Sequence, residues 1–222
     1  MSHPRARTRI KICGVSRPED VAAAVESGAD AVGFVFWPGS PRAVTPARAA
    51  ALARALPPFV TPVGLFVDAD AADVARAFDA VPSLVPQFHG GESPAACASH
   101  GRPYLKAVPI TAGVDLAAVA AAHPEAVALV LDTPSAGHGG SGRAFDRSLV
   151  ARQSAGKPIV LAGGLTPESV GAAIADAAPF AVDVSSGVES ARGVKSADAI
   201  RRFCAAVREA DARVGLREAA AC

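Results

Sequence analysis

The chain has 222 residues, half of them hydrophobic, and 22 basic residues balance 21 acidic ones for a formal net charge of +1. That length suits one large domain with a sizeable core. The even balance excludes the electrostatic footprint of a nucleic-acid or membrane-surface binder and favours a small-molecule partner.

The apolar residues come in short runs broken by Gly, Pro and charge, far from the roughly 18 consecutive apolar residues of a membrane helix. The opening MSHPRARTR is basic but lacks the apolar segment of a secretory signal, so residues 1–8 are expected to be a disordered tail. Cys13, Cys97, Cys204 and Cys222 form no CxxC pair and no Cys/His cluster at metal-ligand spacing. This predicts reduced thiols in a cytoplasmic protein and no metal.

From Arg9 onward the chain alternates strand and helix patterns. Strands are predicted at 9–13, 31–36, 62–67, 84–89, 104–108, 127–132, 159–162 and 180–184, each followed by a helix candidate: 18–27, 46–56, 71–78, 94–100, 116–122, 145–154, 167–177 and 196–210. Runs such as AVGFVF, AVALVL and PIVLA are apolar without alternation, as in parallel strands covered on both faces. Ser16, Thr45 and Thr166, each just ahead of a proline, read as helix starts.

Eight such units predict an α/β fold, a single closed (β/α)8 TIM barrel over residues 9–212, with 213–222 a loose C-terminal tail. A doubly wound open sheet would want a GxGxxG turn after its first strand, and CGVSRPED is not one. In a barrel the chemistry lies at the C-terminal strand ends, which here carry Cys13, Phe36 and Trp37, Asp68, His89, Asp132, Gly163 and Gly164, and Ser185 to Gly187.

LAGGLTPES after strand seven and DVSSGVES after strand eight occupy the usual phosphate position of this fold. Gly163 and Gly164 let main chain approach an anion, and Ser185, Ser186 and Gly187 add donors without bulk. Two such loops on adjacent strands predict a phosphorylated ligand.

Asp132 ends an apolar strand, and a carboxyl group there can be held protonated as a general acid. Lys11 and Cys13 are two apart on one strand and share a face; a nearby ammonium would favour the Cys13 thiolate, making it a base or nucleophile. Asp183, on the strand that neighbours strand one in a closed barrel, is expected to pair with Lys11, and both are counted among the substrate-binding groups. Arg42 suits a bidentate carboxylate contact, Trp37 an aromatic wall, and His89 a hydrogen bond to substrate; the plainer alternatives are a solvated arginine, a core tryptophan and a histidine satisfying its own loop.

Together these residues resemble phosphoribosylanthranilate isomerase. The matching stretches are KICG (11–14), ESGADAVGFVF (26–36), SPR (40–42), QFHG (87–90), LVLDT (129–133), GGSG with FD (139–146), LAGGLTPESV (161–170) and PFAVDVSSGVE (179–189). The resemblance implies an Amadori rearrangement of N-(5-phosphoribosyl)anthranilate to 1-(2-carboxyphenylamino)-1-deoxyribulose 5-phosphate in tryptophan biosynthesis, without metal or organic cofactor. By motif, Cys13 takes the general-base role at C2 of the opened sugar, Asp132 the general-acid role at the ring oxygen, and Arg42 meets the anthranilate carboxylate.

Two departures stand out: Pro86 inside strand four removes a ladder donor, so that strand starts late or bulges, and Arg147 stands where the family commonly has tryptophan. The alternatives are another phosphosugar isomerase, whose strand-end residues fit less well, and a catalytically silent phosphosugar-binding barrel. A monomer and a homodimer both remain open.

Overall fold

Strands that read as unbroken apolar runs are covered on both faces in the computed structural model, which describes residues 7–111, 113–133 and 156–220. The eight barrel strands are β1 (Arg9–Cys13), β2 (Ala31–Val35), β3 (Thr61–Phe66), β4 (Val85–Phe88), β5 (Tyr104–Pro109), β6 (Ala126–Asp132), β7 (Ile159–Leu161) and β8 (Ala181–Val184). All eight pair in parallel and in chain order, and β8 closes on β1, with Lys11 beside Asp183.

Around them lie α1 (Pro18–Glu26), α2 (Pro46–Ala53), α3 (Ala71–Ala80), α4 (Pro94–Ala98), α5 (Leu116–Ala122), α6 (Val170–Ala177) and α7 (Ala197–Ala220). The helix expected over 145–154, the GGSG–FD stretch and Arg147 fall outside the described residues.

Outward strand residues such as Ile10, Ile12, Val32, Phe34 and Phe66 form the main core with the helices. Small inward residues, among them Ala107, Ala128, Val130 and Val160, fill the barrel. This two-sided burial is why the strands lack polar alternation. In α7, Ile200, Phe203, Cys204 and Val207 recur at helical spacing and are fully buried.

Pro86 behaves as expected: β4 begins only at Val85, and its pairing with β5 begins after the proline, at Gln87 opposite Leu105. Of the expected helix caps, Thr45 accepts from the Arg48 N–H, whereas α1 is capped by no side chain and Thr166 lies one turn ahead of α6, bonded reciprocally to Ser169.

Both ends of the barrel extend past the expected limits. Thr8, assigned to the tail, is buried, and its N–H and hydroxyl both donate to Asp211 at 2.8 and 2.7 Å. The last helix runs to Ala220, into the segment expected to be loose, with no proline anywhere along it to break the run. After β8 a short helical turn (Ser186–Val188) leads into an unexpected antiparallel hairpin, β9 (Glu189–Ala191) and β10 (Val194–Lys195).

Candidate active site

Residues alternate across a strand, so the inward positions at the C-terminal ends of the barrel converge on one space. It is a cavity of about 470 Å³ lined by Cys13, Trp37, Arg42, Gln87, His89, Asp132, Asp183, Gly163, Gly164 and Ser185 to Gly187, among others. Except for Lys11, every residue assigned to the site from the sequence reaches it. Lys11 lies one inward position below Cys13 and is buried; its ammonium donates to Asp183 Oδ2 at 2.6 Å, the pairing expected from closure of β1 against β8.

Lys11 is held as an ammonium: burial opposes its charge, but Asp183 and Cys13 together outweigh burial and raise its pKa. Its expected pull on Cys13 toward the thiolate is present but outweighed. Burial, joined by the Asp183 charge, pushes the Cys13 thiol up from its ordinary value against the pull of Lys11 and Lys195, so the sulphur rests as a thiol. Asp183 keeps one free acceptor, since its buried Oδ1 has no partner among the described residues.

Asp132 is braced from two sides. Its Oδ1 accepts from the Thr133 N–H at 2.7 Å, and its Oδ2 lies 3.1 Å from His89 Nε2. His89 Nδ1 in turn lies 3.0 Å from Nε2 of Gln87, which is completely buried. His89 therefore faces Asp132 and Gln87 rather than its own loop. Asp68 stays out of the cavity; its carboxylate accepts from the Gly91 N–H and ties the loop after β4 to that after β3.

The loops after β7 and β8 pack main chain to main chain. A Cβ on Gly187 would sit 1.9 Å from the Leu165 carbonyl oxygen, so only glycine lets the two loops close together there. Among the described residues the N–H groups of Gly163 and Gly164 meet no acceptor, and both glycines line the same cavity as Ser186 and Gly187.

Arg42 crosses the mouth over Gly14, where a Cβ would lie 2.4 Å from the arginine Cδ. Its guanidinium grips Glu189 through Nε at 2.6 Å and Nη2 at 2.9 Å, so two of its nitrogens are committed to the protein. Lys195 donates to the same carboxylate at 2.8 Å and to the Ser185 carbonyl at 2.9 Å.

The Glu189 side chain is only 6% exposed, yet these donors hold its carboxyl at about 2, well below its ordinary 4.5. Lys195 shifts the other way for an ion pair, downward, because complete burial outweighs the pull of Glu189. Two positive charges against one negative leave this side of the cavity positive. The hairpin also brings exposed Arg192 to the cavity lining, with no protein partner among the described residues.

Gln87, Glu189, Lys195 and Arg192 were missed from the sequence. Gln87 was legible as the inward neighbour of His89 two positions on; the other three depend on a hairpin whose strands are three and two residues long.

The model of the N-(5'-phosphoribosyl)anthranilate isomerase family matches residues 10–206. The chain belongs to the phosphoribosylanthranilate isomerase family. It is 58% identical over 212 residues to the isomerase of Methylibium petroleiphilum, covering 96% of this chain and 99% of that one. The crystal structure of the isomerase from Thermus thermophilus superposes with a TM-score of 0.82 at 38% identity, over 91% of this chain and 99% of that one. A second isomerase structure, in complex with reduced 1-(o-carboxyphenylamino)-1-deoxyribulose 5-phosphate, matches with a TM-score of 0.76 at 37% identity and the same coverage. The protein is thus an isomerase of tryptophan biosynthesis with the family's barrel, and among the described residues no helix is long and apolar enough to cross a membrane.

Proposed function

We propose that Cys13 and Asp132 are the base and acid of the phosphoribosylanthranilate isomerase reaction in this chain. The observation that carries the reading is that a thiol and a braced carboxyl group line one cavity whose rim holds the Gly163–Gly164 and Ser185–Gly187 loops and a cationic cluster.

The phosphate of the substrate sits at Gly163, Gly164, Ser185, Ser186 and Gly187, where N–H groups and hydroxyls without bulky side chains suit an anion. The anthranilate carboxylate lies toward Arg42, whose Nη1 has no protein acceptor among the described residues, with Glu189 holding the guanidinium in place. Asp183 Oδ1 is available to accept from a sugar hydroxyl, and Trp37 walls the aromatic end.

Asp132 gives its proton to the furanose ring oxygen, the C1–O bond breaks, and the nitrogen lone pair forms the iminium. The carboxylate left behind is met by the Thr133 N–H and by His89. Cys13 then takes the proton from C2, giving the enolamine that becomes the ketose. The iminium brings positive charge beside a sulphur that already has Lys11 and Lys195 nearby, so the thiolate becomes favourable when it is needed. No step calls for a metal or an organic cofactor.

The bound analogue of the related structure is a phosphorylated compound of this kind, which supports the same ligand class here. A reducing cytoplasm fits Cys13, Cys97 and Cys204, all buried and free.

The test follows the loss of phosphoribosylanthranilate fluorescence with the wild-type, Cys13→Ala and Asp132→Asn proteins. Each substitution is expected to lower kcat by at least about a hundredfold. A folded Cys13→Ala or Asp132→Asn protein with full activity removes that residue from its role.

A further inference from the structure

Gln87 has no part in the chemistry above, yet it is completely buried in the barrel at the floor of the cavity with its Nε2 on His89 Nδ1 and its Oε1 unpartnered. A buried carboxamide without full pairing is costly, so its place asks for a reason.

The geometry points to Gln87 as a positioning residue that fixes which nitrogen of His89 carries the proton. This rests on the reading of Asp132 as the acid.

A neutral imidazole has one donor and one acceptor nitrogen, and the hydrogen bond at one fixes the other. When Gln87 Nε2–H donates to Nδ1, Nε2 must carry the hydrogen, and it points at Asp132 Oδ2. The three side chains then form one chain of donors running from Gln87 through His89 to Asp132, with the Thr133 N–H arriving at the other oxygen.

Two consequences follow for the acid. A ring whose Nε2 is already protonated cannot accept the proton of Asp132, so the sugar oxygen is left as its acceptor. Once that proton has gone, the same Nε2–H meets the new carboxylate. With the other tautomer, a bare Nε2 would face Asp132 and draw its proton into a hydrogen bond with the ring.

The unpartnered Oε1 fits this account. Turning the amide over would give Oε1 a partner only by placing the hydrogen on Nδ1 and exposing that bare Nε2.

The test is the ¹⁵N spectrum of the imidazoles in the full chain, with His89 assigned by its absence from His89→Gln, beside kcat and KM for Gln87→Met and Gln87→Glu. The wild-type ring is expected to be protonated at Nε2 and bare at Nδ1. Gln87→Met, nearly the same size, loses that single tautomer and lowers kcat by about ten- to a hundredfold, part of the 10²–10⁴ that a general acid contributes, with KM within about twofold. Gln87→Glu can only accept once its carboxyl group is ionised, so raising the pH through that ionisation moves a hydrogen onto Nδ1 and lowers kcat.

A wild-type ring protonated at Nδ1 overturns the proposal without any variant. So does a folded Gln87→Met protein that keeps kcat. If Asp132→Asn is fully active, the acid assignment falls and the catalytic consequence with it, while the spectrum, which needs no turnover, reports separately whether Gln87 governs the ring.

Discussion

Replacing Glu189 by Gln removes the one negative charge that holds Arg42 and Lys195 together at the mouth of the barrel. The shape is nearly kept, so the loss is electrostatic. A carboxyl group held at about 2 against an ordinary 4.5 contributes about 3 kcal/mol at neutral pH. The figure agrees with the roughly 3–5 kcal/mol cost of removing one member of a buried ion pair. Glu189 and Lys195 are 6% and 0% exposed at their side chains, so solvent screening discounts this little.

The sign also sets a pH dependence. A depressed carboxyl pKa stabilises the fold above the unfolded value and loses that contribution as pH falls from about 4.5 toward 2. Urea unfolding of wild type and Glu189→Gln should therefore differ by about 3 kcal/mol at pH 7 and by less than half of that at pH 3. A difference below about 1 kcal/mol at pH 7, or one that stays constant down to pH 3, would refute the claim that the ionised carboxylate holds the cluster together.

Two further outcomes follow from single residues. Because burial raises the Cys13 thiol above its ordinary 9.0, alkylation of Cys13 in the folded protein, read by mass spectrometry of the peptide that carries it, should accelerate about tenfold per pH unit through pH 9, since the thiolate is the nucleophile; a plateau below pH 8 would show a thiolate at rest. Ala178 ends α6 in the left-handed region at φ 44°, ψ 50°, so Ala178→Gly should stabilise the protein by roughly 1 kcal/mol in thermal unfolding, and a loss of stability would contradict that strain.

The sequence marked the strand ends well because each barrel strand is short, mostly apolar and followed by loop residues. Asp132, His89, Gly163 and Ser185 were all placed at the mouth by that pattern. The pairing of Lys11 with Asp183 was also legible, since closure of an eight-stranded barrel makes the first and last strands neighbours and leaves two inward charges side by side. The protonation of Cys13 was not, because it depends on the balance between loss of water around the sulphur and the attraction of two ammonium groups, and only coordinates supply both.

Arg42 shows the same division. Its position after β2 identified an arginine at the rim, but its grip on Glu189, 147 residues later, depends on a short hairpin with no strong sequence signal. The hydrogen-bond chain from Gln87 through His89 to Asp132 likewise joins two strands.

Periodicity, turn residues and motif order are local and repeat along the chain, so the sequence by itself determined the barrel, its family and most of the groups at its mouth. The tertiary structure alone decided which of those groups are charged, which are already partnered and which way a hydrogen bond runs, because these depend on distances of a few ångströms and on burial between residues far apart in the chain.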